Sequence, residues 1–281
     1  MLVSVEATKW KTADGLVLHE HRWKAAAPRG VVALVHGFIE HGGRYAPVAE
    51  RLVERGYAVA ALDLRGHGLS EGDRAFVHRF DDYLADVDRF LATLRNDFPH
   101  LRLFLLGHSM GGLIAAECYL TRRPPLTGLI LTAPAVTVGA RVYPLVRKLA
   151  AFVAAIFPRL RILQLGGASL VSRNPEAITR LEEDPLIYRG RFPVRTGAEI
   201  LSAGERLRQQ AEAIDIPLLI LHGTSDLLTN VSGSEEIHRR ASSPDKTLKV
   251  YEGLYHELFS EPEREAVLAD FLDWLDAHTE S

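Results

Sequence analysis

A single cysteine, Cys118, excludes an intrachain disulfide and a cysteine-rich zinc site. Its place in an apolar run makes it a small buried hydrophobe rather than a nucleophile. Neither charge is in real surplus: 33 Lys and Arg stand against 36 Asp and Glu, a net charge of −3. That balance offers no basic face to nucleic acid or to an anionic membrane. No uncharged apolar stretch reaches the roughly 18 residues of a membrane span. At the start, Glu6 and Lys9 interrupt MLVSVEATKWK too early for the apolar centre of a signal peptide. His256-Glu257 lacks the second histidine of H-E-x-x-H, and the glycine-rich stretches lack the G-x-x-x-x-G-K-[ST] spacing of a phosphate loop. Repeats and low-complexity segments are missing too. The expectation is a cytoplasmic protein, at most peripheral at a membrane, with no metal and no cofactor.

What is present is the balance of a globular chain, 47% hydrophobic and 25% charged over 281 residues. The first 25 residues alternate in polarity around Thr12-Ala13-Asp14-Gly15, which predicts an antiparallel hairpin. The pattern then changes to short continuous apolar runs: Val31–Val35, Tyr57–Leu62, Leu101–Leu106, Leu126–Leu131 and Ile216–Leu221. Continuous runs fit strands buried on both faces of a parallel sheet. Between them, Tyr83, Leu84, Val87, Leu91, Leu94 and Phe98 fall on one helical stripe. Ser260-Glu261-Pro262-Glu263 has the form of a capping box opening a last helix, with Val267, Leu268, Phe271, Leu272 and Leu275 facing the sheet. The whole predicts a three-layer α/β fold with an antiparallel edge.

Residues 135–215 break this rhythm, being far longer than a crossover helix and its loops require. Within them Val142, Leu145, Val146, Leu149, Phe152, Val153 and Ile156 recur at helical spacing. We expect a mainly helical cap over the carboxyl ends of the strands, with residues 1–134 and 216–281 forming the core.

In LFLLGHSMGGLIAAE, residues 103–117, a buried strand stops at Gly107 and an alanine-rich helix begins near Met110. Ser109 then sits on a sharp strand-to-helix turn, with Gly107 and Gly111 leaving room for the backbones to meet. This is the G-x-S-x-G nucleophile elbow in its required context. A serine hydroxyl needs a base held by a third group. No acid follows ILILT, where Ala133 and Pro134 stand, but Asp226 follows PLLILHG and His256 follows TLKVYEG. The order Ser109, Asp226, His256 is that of α/β hydrolases. After the first core strand, in VHGFIEHGGRY, the backbone N–H of Phe38 pairs with that of Met110 as an expected oxyanion hole. His36 and His222 are expected to pack under loops, and the side chain of His108 to diverge from that of Ser109, its neighbour at so tight a turn.

The motifs HGFIEHGGRY, DLRGHGLSEG, LLGHSMGG, HGTSDLL and GLYHELFSEPE together resemble the monoacylglycerol lipase and lysophospholipase branch of the α/β hydrolases. The resemblance implies the α/β-hydrolase fold, Ser109, Asp226 and His256 as the triad, and Phe38 and Met110 as oxyanion donors. It also implies that Glu40 and Arg44 shape the pocket for the glycerol end of a lipid ester. Two positions depart from the family pattern. Ile39 stands where glycine is usual, and Leu181 where a tyrosine is common, and both departures bear on the specificity for the alcohol.

The expected reaction is two-step acyl transfer from a monoacylglycerol through an acyl-enzyme, releasing glycerol and fatty acid. Alternatives are a lysophospholipase or broad carboxylesterase and, from another class, a lipid-binding protein without catalysis. Epoxide hydrolysis on this fold wants an aspartate where Ser109 stands. Transient contact of the cap with membrane or lipid aggregates is expected if Arg147, Lys148 and Arg159 flank an exposed apolar face.

Overall fold

The computed structural model describes residues 5–138, 152–164 and 166–280. Eight strands form one sheet: β1 (Val5–Lys11), β2 (Val17–Trp23), β3 (Gly30–Val35), β4 (Tyr57–Leu62), β5 (Arg102–His108), β6 (Gly128–Thr132), β9 (Leu218–Gly223) and β10 (Lys246–Tyr251). The spatial order is β1-β2-β4-β3-β5-β6-β9-β10. β1 and β2 pair antiparallel as the hairpin predicted from sequence, and β2 runs antiparallel to β4. Every later pairing is parallel. This is the α/β-hydrolase sheet with its antiparallel edge.

The reason for the continuous apolar runs is plain in the burial: all residues of β3, β4, β6 and β9 are buried. One face is covered by α2 (Phe80–Asp97), α3 (Met110–Arg122), α5 (Val194–Gln210) and α6 (Val231–Arg240). Val31, Ala33 and Val35 of β3 point into that layer. The other face, with Val32 and Leu34, is closed by α1 (Ala46–Glu54) and α7 (Arg264–Glu280). The cysteine behaves as expected: Cys118 is fully buried, and burial pushes its thiol up to about 12.

Three strands start one or two residues later than their apolar runs. β9 begins after Pro217, which has no amide proton to give a ladder. The last helix starts at Arg264, not Ser260, because Glu261 has other work. Its buried carboxylate accepts from Ser172 Oγ at 2.7 Å, from the Arg173 amide at 2.6 Å and from the Tyr255 amide at 3.1 Å. A short 3₁₀ turn over Leu258–Ser260 precedes it.

Between β6 and β9 the described residues form β7 (Arg161–Leu163), α4 (Pro175–Glu183), β8 (Phe192–Pro193) and α5. β7 and β8 pair as a small separate ribbon. Val142, Leu145, Val146, Leu149, Arg147 and Lys148 lie outside the described residues. Phe152 and Ile156 are exposed, 63% and 52% respectively, while Ala154 is buried. No helix among the described residues is long and apolar enough to cross a membrane.

Candidate active site

β5 ends at His108 and α3 begins at Met110, so Ser109 alone makes the turn, at φ 52° and ψ −117°. A non-glycine residue at positive φ costs on the order of 1–3 kcal/mol and persists only where its surroundings over-determine it. Here they do. The Ser109 amide donates to Thr132 O at 2.9 Å, and the Ser109 carbonyl accepts from Leu113 and Ala135 at 3.1 and 2.9 Å. The glycines permit the contact between layers. A Cβ on Gly107 would lie 2.4 Å from Gly111 O, and one on Gly111 would lie 2.1 Å from Val35 O.

Asp226 follows β9, and its side chain is wholly buried. Oδ1 accepts the amides of Leu228 and Thr229 at 2.8 and 3.0 Å. Oδ2 accepts Thr229 Oγ1 at 2.7 Å and faces His256 Nδ1 at 2.6 Å. Burial alone would raise this carboxyl, but the hydrogen bonds from His222 and His256 and the Thr229 amide outweigh it, so the group stays far below the usual carboxylate range. It is therefore a fixed anion, and its contact with Nδ1 leaves Nε2 of His256 to handle a proton.

Ser109 and His256 line one cavity of about 520 Å³ at the carboxyl ends of the strands. No hydrogen bond joins their side chains among the described residues; such contacts commonly tighten only when substrate is seated. Phe38 and Met110 line the same cavity, and neither amide N–H has an acceptor among the described residues. The unsatisfied Met110 amide is the first of α3, where the helix dipole favours negative charge. The remaining wall is mostly apolar, with Leu163, Leu181, Ile187 and Phe192 contributed from between β6 and β9.

The polar end of the cavity is a buried network around Glu40 and Arg44. Glu40 accepts the Gly37 amide at 2.5 Å, Tyr45 Oη at 2.9 Å and Arg44 Nη1 at 2.6 Å. Arg44 also makes a two-pronged pair with Glu257, at 2.8 and 2.9 Å. Burial would neutralise Glu257, but Arg44 prevails and holds its carboxyl below the usual value. Two carboxylates around one guanidinium leave this end with a net negative charge.

Several side chains near the site were not legible as partners. Thr229 bridges to Asp226, and Glu257 completes the arginine's coordination. The ring of His108 lies 4.7 Å from that of His256, centroid to centroid, a contact the sequence did not show. Its Nδ1 is 3.0 Å from Thr132 Oγ1, and burial together with the neighbouring His256 pushes it down to about 3. His36 packs under the loop as expected, Nδ1 on Gly37 O at 2.6 Å and Nε2 accepting the Leu64 amide at 3.0 Å. His222 is fully buried, with Nδ1 2.7 Å from Ser234 Oγ.

Of the two departures from the family pattern, Ile39 adopts φ 64°, the left-handed region where glycine is at ease. Its carbonyl accepts the Tyr188 amide at 3.1 Å, which binds this loop to the segment between β6 and β9. A second link joins them, His41 Nε2 to Asp184 Oδ2 at 2.8 Å. Leu181 lines the cavity.

Residues 26–263 match the Hydrolase_4 family model, described as serine aminopeptidase, S33. A monoacylglycerol lipase of Mycolicibacterium smegmatis is 39% identical over 252 residues, covering 89% of each chain. The human monoglyceride lipase is 36% identical over 251 residues, 89% of this chain and 82% of that one. Among solved structures, the monoacylglycerol lipase of Paleococcus ferrophilus superposes with a TM-score of 0.82 at 32% identity, covering 98% of this chain and 99% of that one.

Proposed function

The chain belongs to the Hydrolase_4 family, and from that membership we propose that it is a serine carboxylic ester hydrolase that splits monoacylglycerols into fatty acid and glycerol. The observation that carries this reading is one cavity shared by a serine on a strained elbow and a histidine backed by a buried aspartate.

Ser109 is the nucleophile in this reading. His256 takes its proton through Nε2 as Oγ attacks the ester carbonyl, and Asp226 stabilises the imidazolium and fixes the tautomer. The developing oxyanion is met by the N–H groups of Phe38 and Met110, each such donor being worth about 3 kcal/mol in the transition state. Glycerol leaves with the proton from His256, and water then attacks the acyl-enzyme by the same route. The apolar wall holds the acyl chain, at about 0.8 kcal/mol per methylene buried.

In this reading the described residues between β6 and β9 that line the cavity, Leu163, Leu181, Ile187 and Phe192 among them, act as its cap. Glu40, Arg44 and Glu257 are placed to receive the glycerol hydroxyls. Among the described residues lining the cavity, Arg44 is already paired with two carboxylates, and Arg189 spends its guanidinium on the carbonyls of Leu181, Glu182, Asp184 and Ile187. That favours a neutral glycerol head over a lysophospholipid. Side-by-side turnover of a monoacylglycerol and the lysophosphatidylcholine of equal chain length tests it. Preference for the monoacylglycerol by 10-fold or more is expected; equal or reversed rates would defeat the assignment.

A specific observation favours delivery from a lipid surface. Phe152, Ile156, Phe157, Leu160 and Ile162 are all more than 40% exposed, with Arg159 beside them. Such an apolar patch suits shallow contact with lipid aggregates, Arg159 itself being paired with Asp73 at 3.1 Å. Flotation with vesicles tests this, and unchanged flotation of Phe152→Ser/Phe157→Ser would remove the patch from the account.

A further inference from the structure

On the far side of β4 from the candidate catalytic cavity, β2 carries His19 and His21 two residues apart, so both rings leave the same face of the strand. β2 pairs with β4, and the residue after β4 is Asp63, whose amide donates to His19 O at 2.9 Å. The pairing thus sets two imidazoles against one carboxylate. His21 Nε2 is 3.1 Å from Asp63 Oδ1, and His19 Nδ1 is 3.9 Å from Asp63 Oδ2. All three ligand atoms lie within 4.8 Å of one another.

We propose that His19, His21 and Asp63 form a binding site for a divalent transition-metal ion of the zinc class. Two nitrogens and one carboxylate oxygen are a donor set such an ion accepts, with a fourth position left for water. Donors about 2.0–2.1 Å from a tetrahedral ion lie about 3.4 Å apart, so the two His–Asp spacings of 3.1 and 3.9 Å bracket that value, and closing the site needs only small side-chain shifts.

A second observation points to a ligand. His19 is 5% exposed, and its Nδ1 has no hydrogen-bond partner although it faces Asp63. Leaving a buried ring nitrogen unpaired is costly, so a metal bond at that atom would remove a real penalty. The neighbouring histidine is similar: His41 Nδ1 is buried without a partner, and its ring is 6.4 Å from that of His21. Gly43 leaves the space between them open, since a Cβ there would sit 3.1 Å from His41 Nδ1 and 3.2 Å from His21 Cε1.

Asp63 is already oriented by the Gly42 amide on Oδ1 at 2.7 Å and the Leu69 amide on Oδ2 at 2.9 Å, the outer contacts that hold a ligand in place. His21 is the more accessible histidine, at 13% side-chain exposure, and offers the entry side.

The test is calorimetric titration of chelator-treated full chain with Zn²⁺ at pH 7.5, after Ser109 has been blocked with a fluorophosphonate to remove metal binding at His256. One site of micromolar affinity or tighter is expected, at least 10-fold weaker in His19→Gln and in His21→Gln. Thermal unfolding with and without Zn²⁺ accompanies it: the wild type should rise in Tm with the metal and the variants should not. If His19→Gln does not fold, His21→Gln carries the comparison. Absence of a site in the wild type, or unchanged affinity and stoichiometry in the folded variants, overturns the proposal.

Discussion

The carboxylate of Glu40 accepts the backbone N–H of Gly37 at 2.5 Å, and so fixes the turn that presents the Phe38 amide to the cavity. Glu40 itself is held by Tyr45 and Arg44. Glu40→Ala should lower kcat about 100-fold, the cost of a small misplacement of one reacting contact. KM should move less than kcat. Steady-state rates on one monoacylglycerol check this, and a KM-only effect would limit Glu40 to binding alcohol.

Asp226 faces the amides of Leu228 and Thr229, Thr229 Oγ1 and His256 Nδ1, with His222 Nε2 a more distant fifth group at 3.4 Å. An asparagine there would turn an NH₂ toward one pair of them and favour the wrong tautomer of His256. Asp226→Asn should therefore lose about 10⁴-fold in kcat. A loss under 10-fold would mean that another group orients the imidazole.

Ile39 combines a β-branched side chain with φ 64°. Truncating a partly buried isoleucine commonly costs about 2 kcal/mol or more. Relief of left-handed strain, on the order of 1–2 kcal/mol, offsets most of that here. Ile39→Gly should thus unfold within about 1 kcal/mol of wild type in urea. A loss above about 3 kcal/mol would show that the backbone at this position stores little strain.

Three buried histidines set an acid limit on stability. Burial pushes His36 and His67 down to about 4, and His108 to about 3. In the unfolded chain each takes a proton near pH 6.5, so between there and pH 4 the unfolded state binds more protons. Stability is full above pH 6.5 and falls as the pH drops, by on the order of 3 kcal/mol per histidine at the acid end. Asp226, held low, keeps its own contribution until still lower pH. Urea midpoints from pH 7.5 to 4.5 should decline steadily; a flat profile would mean these rings find proton partners when buried.

Much of this was legible because local chemistry dictates it. The parallel strands announce themselves through uninterrupted apolar runs, and the elbow through glycines two residues either side of Ser109. The partners of the site were less visible. His108 lies beside His256 only because β5 and the loop after β10 end at the same edge, a matter of sheet order that no local spacing records. Glu261 reads as a helix-capping residue from sequence, yet tertiary contacts with Ser172 and Arg173 claim its carboxylate and delay the helix to Arg264.

The most direct measurement is monoacylglycerol turnover, with fluorophosphonate labelling, by wild type and Ser109→Ala compared at equal folded concentration. The wild type should turn over and label at one residue, while the variant should lose at least 10³-fold in kcat and take no label, with its unfolding midpoint nearly unchanged. Turnover surviving in the alanine variant, or label carried by a different residue, would contradict the assignment of the reacting hydroxyl.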